Sequence, residues 1–181
     1  MTLGAVTETA RPPDCISIAE HRDARHRVEQ RIRWLLVGVL TIFAALGLAN
    51  VFGQTPSEVR AAGAGATLAV SAPDDLRGGL FFQGRFEVVS ERPLEKPTLV
   101  LAPDWFDSIH LNTIEPEPTG TTPEDGGVGL EYDPLPAGER LVVYLELQVN
   151  PTTVGRRAQW AELRDGDRTL ARVERHVTIF P

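Results

Sequence analysis

Hydrophobic and polar positions change rhythm along this chain. From Trp34 to Phe52 run 19 residues without one charge, and the only polar side chains among them are Thr41 and Asn50. Upstream, Glu20 to Arg33 contains neither Gly nor Pro and is rich in helix formers. Ser17 and Glu20 have the three-residue spacing of a capping box, in which hydroxyl and carboxylate each satisfy a free backbone N–H at a helix start. These features predict one helix from about residue 17 running unbroken into the apolar run. The short stripe Ala24, Val28, Ile32 suits either pairing with a second copy or lying near lipid headgroups.

After the apolar run, Gly53 to Gly65 is rich in Gly and Ala, carries Pro56 and is expected as a flexible tether. Downstream the period becomes two. Leu80, Phe82, Phe86 and Val88 oppose Gln83, Arg85 and Glu87, and Leu141, Val143, Leu145, Leu147 and Val149 share one face. Further strands are expected at 67–71, 98–101, 109–114, 128–132, 158–163, 169–173 and 177–180, with a turn-rich loop at 119–127 and a hairpin around Asp165-Gly166. Eight or nine short strands without a helical stretch predict an antiparallel β-sandwich of immunoglobulin-like type, mainly β apart from the N-terminal helix. The expected organisation is a disordered tail at 1–16, a helix over 17–52, a tether at 53–65 and a sandwich at 66–181. Trp105 and Trp160 are expected in the core or at its rim.

A helix of 19 residues, at ~1.5 Å per residue, nearly matches the ~30 Å hydrocarbon core of a bilayer. A soluble core helix has a polar face, and this segment is apolar all round. A cleaved signal has a shorter apolar run and a shorter leader than the 33 residues found here. Gly47-Leu48-Ala49 keeps cleavage open, but a retained anchor through Trp34–Phe52, with the lipid bilayer as partner, is the preferred expectation. Arg22, Arg25, Arg27, Arg31 and Arg33 precede the run and only Arg60 follows closely, so the positive-inside rule puts the N-terminus in the cytoplasm and the sandwich outside. Trp34 suits the inner boundary, where an indole keeps its body in lipid and its N–H near headgroups.

Charge narrows the partners. Residues 54–181 carry twelve basic against twenty acidic side chains, which argues against nucleic acid and against anionic surfaces. The lone Cys15 lies on the expected cytoplasmic side, so no intramolecular disulfide supports the sandwich and an apolar core must do so.

Asn150 to Arg157, Leu163 to Gly166 and Val177 to Pro181 resemble the closing strands of bacterial cell-surface immunoglobulin-like domains. The whole layout resembles single-pass, membrane-anchored bacterial proteins with an extracytoplasmic sandwich. That resemblance implies a fold and a place, not an activity, and the Cys…Trp…Cys signature of antibody-type domains is absent.

No nucleophile motif is present: there is no Gly-x-Ser-x-Gly, no Ser-x-x-Lys and no Cys beyond Cys15. Asp104, Asp107 and His110 are the nearest approach to a metal set, and Glu115, Glu117, Glu124 and Asp125 supply oxygens without the spacing of a calcium loop. Solvated turns account for both, so neither a metal nor a cofactor is expected. Arg172, Arg175 and His176 suggest a small cationic patch or a plain polar face. Phe81 points opposite Phe82, so with Phe82 in the core Phe81 is exposed, beside Val89, as a partner contact. Ala45 and Ala49 have the small-xxx-small spacing of close helix approach, suited to a membrane-protein partner or a homodimer. The expected function is a non-enzymatic interaction or assembly module, possibly accessory to a membrane complex. The alternatives are an envelope-polymer-binding domain and, more distantly, a metal-dependent envelope enzyme.

Overall fold

The computed structural model describes residues 18–49, 54–124 and 126–181, with side chains from residue 28 onward. It divides into two units, Met1–Gly53 and Gln54–Pro181. The first is built on α1 (Ile18–Leu48), a single helix of 31 residues. Within it Val28–Leu48 is long and apolar enough to cross a membrane, and none of that stretch is buried. Trp34, Leu40 and Leu48 are 68%, 68% and 90% exposed. Thr41 turns its hydroxyl back to the Val37 carbonyl at 2.8 Å, hiding the one polar side chain of the middle turns. The expected capping box at Ser17, the thiol of Cys15 and the end of the apolar run at residues 50–52 lie outside the described residues.

Among the described residues the second unit is an immunoglobulin-like β-sandwich of eleven strands. These are β1 (Pro56–Gly63), β2 (Ala66–Pro73), β3 (Asp75–Arg77), β4 (Phe81–Ser90), β5 (Pro97–Leu101), β6 (Ile109–Glu115), β7 (Gly120–Glu124), β8 (Gly127–Glu131), β9 (Arg140–Val149), β10 (Gly155–Asp165) and β11 (Arg168–Phe180). Five form one sheet in the order β1-β2-β4-β9-β6, and six form the other in the order β3-β11-β10-β5-β8-β7. Every pairing is antiparallel except β3 with β11. The chain changes sheets at Asp74, between β2 and β3.

Between the sheets lies one apolar core. The first sheet contributes Leu68, Val70, Phe86, Val88, Val143, Leu145 and Leu147, and the second Leu99, Leu101, Leu130, Leu163, Val173 and Val177. Period-two alternation along β4 and β9 places those side chains inward, as the pattern predicts. Trp105, on a 3-10 turn at Pro103–Trp105, is fully buried; its indole N–H donates to the Trp160 carbonyl at 3.0 Å and its ring meets Phe86 edge-on at 5.1 Å. The hydrogen bond satisfies the one polar atom the tryptophan carries inside.

The structure corrects the sequence in four places. Residues 56–63, expected as tether, are edge strand β1, in full register with β2 from Pro56↔Pro73 to Gly63↔Ala66. Small residues hid it: only Val59 and Ala61 reach the core, and Pro56 is tolerated at a strand's first position. Ala64 and Gly65 close the hairpin with φ of 47° and 82°, the doubly positive pattern of a tight hairpin turn. Residues 120–124, expected as loop, are edge strand β7, which has no large apolar side chain to announce it. The three-residue β3 was not foreseen. Finally, 169–173 and 177–180 are parts of the single strand β11, whose inward alternation continues through Arg175, a charged residue where an apolar one is expected.

Candidate functional site

Phe81 is 64% exposed at the start of β4, as expected, while Phe82 is buried. Val89 is not its neighbour. Both side chains lie on the outer face of the first sheet, but eight residues of strand separate them, about 27 Å at ~3.4 Å per residue. Adjacency needs spacing two, so a shared face did not make a shared patch. Across the sheet Phe81 stands opposite Gln148, which is also paired with His110. Leu80, at the preceding position, is 45% exposed.

The rest of that outer face is polar. Arg85 bonds Glu87 at 2.5 Å and Arg140 bonds the same carboxylate at 2.9 Å. The Tyr144 hydroxyl and Glu87 together push the Arg85 guanidinium further toward its charged form. Next to this network Gln83, Thr113, Glu115, Tyr144 and Glu146 line a shallow groove of about 260 Å³. It offers hydrogen-bond donors and acceptors and one aromatic ring.

The candidate metal set does not assemble. Asp104 sits in the first turn of the 3-10 segment, and His110 is exposed on β6. Asp107 is held by Arg157, whose Nη1 bonds both its carboxylate at 2.5 Å and its carbonyl at 2.8 Å. Among the described residues no three His, Cys, Asp or Glu side chains group as metal ligands. Glu124 of the acidic loop is paired with Arg164 at 2.7 Å, and Asp125 lies outside the described residues.

The expected cationic patch is also dispersed. Arg172 and Arg175 are three residues apart on a strand, so they face opposite ways. Arg172 lies over the Trp160 ring at 4.5 Å on the outer face. Arg175 points inward, with 5% exposure, its guanidinium 5.5 Å from the Trp105 ring centroid. Its Nη2 donates to the carbonyls of Ala72 at 2.9 Å and Pro73 at 2.6 Å and to the Asp74 carboxylate at 2.9 Å. It thus ties β11 to the point where the chain changes sheets. Burial raises the Asp74 carboxyl, but bonds from Ser57 and Arg175 outweigh that and hold it below the ordinary value. His176 remains exposed beside a groove it shares with Asp75 and Arg156.

A second polar lock lies outside the second sheet. Glu162, 4% exposed, accepts from Arg164 at 2.6 Å, Thr169 at 2.7 Å and Arg172 at 3.5 Å. Burial pushes its carboxyl up, yet these donors prevail and hold it below the usual glutamate range. Neither lock was legible as such, because a buried Arg or Glu in a strand reads as a surface position. The signal available was Arg175 itself, in phase with Val173, Val177 and Ile179.

Ala45 in α1 and Ala49 just past its end are joined by the bond from the Ala49 N–H to the Ala45 carbonyl at 2.9 Å, so both lie on one side of the helix. No side chain crowds the neighbouring Gly47.

No family model matches the chain, and no curated protein matches it. Among solved structures it is similar to the CARDB domain of a Pyrococcus furiosus protein in complex with di-metal ions, at 10% identity and a TM-score of 0.43, over 70% of this chain and 90% of that one. It is also similar to a non-cellulosomal cohesin from Archaeoglobus fulgidus, at 12% identity and a TM-score of 0.39, over 61% of this chain and 88% of that one. The expected resemblance to membrane-anchored bacterial proteins finds no counterpart in these comparisons.

Proposed function

We propose that the protein is a single-pass membrane protein whose sandwich, outside the cytoplasm, serves as a non-enzymatic interaction or assembly module. The observation that carries this reading is α1: its large apolar side chains from Val28 to Leu48 are exposed along a stretch with the length and composition of a span. Leaving that much apolar surface in water is costly, at ~25 cal/mol per Å². The arginines before it favour a cytoplasmic N-terminus. The charged side chains best placed for chemistry are already engaged in structural ion pairs, at Asp107–Arg157, Glu162–Arg164 and Asp74–Arg175. An accessory role within a membrane complex follows naturally, with the Ala45/Ala49 side of α1 meeting a partner helix or a second copy.

The test is cross-linking in intact cells, then purification from membranes and identification of what accompanies the protein. A reproducible membrane-protein partner supports the accessory role. Chains that leave the membrane fraction in alkaline carbonate defeat the anchor. The groove at Gln83, Tyr144 and Glu146 favours a second reading, an envelope-polymer-binding domain. Retention on isolated envelope polymer, lost on Tyr144→Ala, would replace the first reading with it.

A further inference from the structure

We infer that one pole of the sandwich, the one carrying Leu80, Phe81, Val154 and Phe180, is a lipid-contacting rim that rests on the bilayer surface. The inference rests on the membrane-anchor reading above. Leu80, Phe81, Val154 and Phe180 are 45%, 64%, 57% and 49% exposed. Among the described residues the sandwich's other large exposed apolar side chains are Leu111 and Tyr144, and Leu111 is one pair of residues in from the same pole. Such an uneven distribution marks a contact surface, since scattered exposed apolar residues would not gather at one end.

The strand registers bring these positions to one pole, with Phe81 on the outer face of the first sheet, Phe180 on that of the second, and Leu80 and Val154 in the connections at the same end. The turn at 78–80 and the connection at 150–154 pack closely: a Cβ on Gly78 would lie 2.7 Å from the Pro151 carbonyl oxygen. The Gly78 N–H donates to the Phe180 carbonyl at 2.9 Å, and Gly155 pairs with Ile179, which sets Val154 next to Phe180.

Chain connectivity selects the occupant. β1 begins at Pro56, paired with Pro73 at the end of β2, and therefore starts at this same pole. Only Gly53, Gln54 and Thr55 separate Pro56 from Phe52, the last residue of the apolar run. Four residue steps reach at most about 14 Å, whereas a ten-residue strand such as β4 is about 33 Å long. The pole with the apolar rim is thus held near the bilayer and the opposite pole is kept away. A tether this short makes the contact intramolecular, so a modest apolar area suffices.

Charge agrees. At the rim Asp74 and Asp107 are neutralised by Arg175 and Arg157, leaving Asp75 and Asp104 against Arg77 and Arg156. Arg77 is paired in register with Phe180 and Arg156 with Thr178, at the depth where lipid phosphates lie beside inserted apolar groups. The loops of the opposite pole carry Glu91, Glu95, Asp133, Glu139 and Asp167 against Arg92 and Lys96, a surface that anionic lipid repels.

The test uses the full chain with Cys15→Ser, carrying a single environment-sensitive label at Val154→Cys or, as control, at Glu139→Cys. It is reconstituted in phosphatidylcholine vesicles with and without a minority of phosphatidylglycerol. The expected result is that the label at 154 is several-fold less accessible to iodide than the label at 139 and is quenched by spin-labelled lipid. Adding Leu80→Ser, Phe81→Ser and Phe180→Ser, all at exposed positions, should restore iodide access at 154. Equal access at both poles, in chains that alkaline carbonate does not release, overturns this proposal alone. So does shielding at 154 that appears only as protein density rises, which would assign the rim to a second copy. Release of the chain by carbonate overturns the anchor, and the rim proposal with it.

Discussion

At the scale of single residues, two buried charges carry more than their neighbours do. Arg175 bridges β11 to the carbonyls of Ala72 and Pro73, so its loss removes the guanidinium from two buried acceptors, of which Ala72 keeps the Ser57 hydroxyl, and opens space beside Trp105. Arg175→Ala is expected to destabilise the sandwich by about 3 kcal/mol, the size seen when one member of a buried polar cluster is removed. Asp74 has a side chain 51% exposed, so Asp74→Asn should cost well under ~1 kcal/mol. Urea unfolding followed by tryptophan fluorescence, to which the buried Trp105 contributes, separates the two. Equal losses would mean that the ion pair, not the carbonyl anchoring, is what matters.

Glu162 makes a prediction about pH. Its folded-state value lies below the ordinary 4.5, so its bonds to Arg164 and Thr169 contribute fully above pH 4.5. That contribution fades as pH falls from there through the lower folded value, where the folded state must also take up the proton. Glu162→Gln is expected to lose about 1–2 kcal/mol at neutral pH and to converge on the wild type in acid. Melting temperatures of both proteins between pH 7 and pH 3 check this; parallel curves would show that another carboxylate governs the acid limb. Sequence reasoning could not see either residue's role. Periodicity assigns faces by polarity: at Arg175 polarity points the wrong way, and at Glu162 the face is right but the burial beneath Arg164, Thr169 and Arg172 is not visible. At Phe81 the face was legible but the neighbour was not, because distance along a strand decides contact as firmly as parity does.

Elements were legible in proportion to the apolar burial they carry. β2, β4, β5, β6, β8 and β9 stand within about two residues of where alternation places them. β1 and β7 are edges with little to bury, so their sequences resemble linker and loop. β1 is nonetheless specified at its ends. Gly63 approaches β11 so closely that a Cβ there would meet the Leu170 carbonyl oxygen at 2.4 Å. Gly63→Val should therefore detach the strand's end and cost about 1–3 kcal/mol, the range for overpacking. Ala64 at φ 47° bears a left-handed penalty of about 1–2 kcal/mol, while glycine loses about 0.4–1 kcal/mol more entropy on folding. The first term is larger, so Ala64→Gly is expected to stabilise by about 0.5 kcal/mol. Hydrogen-exchange protection along β1, lowered by the first change and raised by the second, is the readout; no change with Gly63→Val would show the strand dispensable.

For the whole molecule the sequence predicts a helix, a tether at 53–65 and a sandwich from residue 66, whereas the structure divides into Met1–Gly53 and Gln54–Pro181, with most of the expected tether taken up as β1. In the proposed anchored protein, the side of the membrane that the sandwich occupies depends on few charges. Arg31 and Arg33 precede the apolar run directly, and the first basic residue after it is Arg60, within β1. On the biological insertion scale a central Arg or Lys costs ~2.5–3.5 kcal/mol, and the bias of a few flanking arginines sets direction. Arg31→Ser and Arg33→Ser, combined with Gln54→Arg and Thr55→Arg, should therefore invert a measurable share of chains. Residues 54 and 55 precede β1; Thr55 is exposed and Gln54 half-buried, so circular dichroism of the variant checks that the sandwich still folds. A C-terminal tag accessible to external protease in the wild type should become protected in that share. A tag protected in the wild type would reverse the orientation and put the sandwich on the cytoplasmic side.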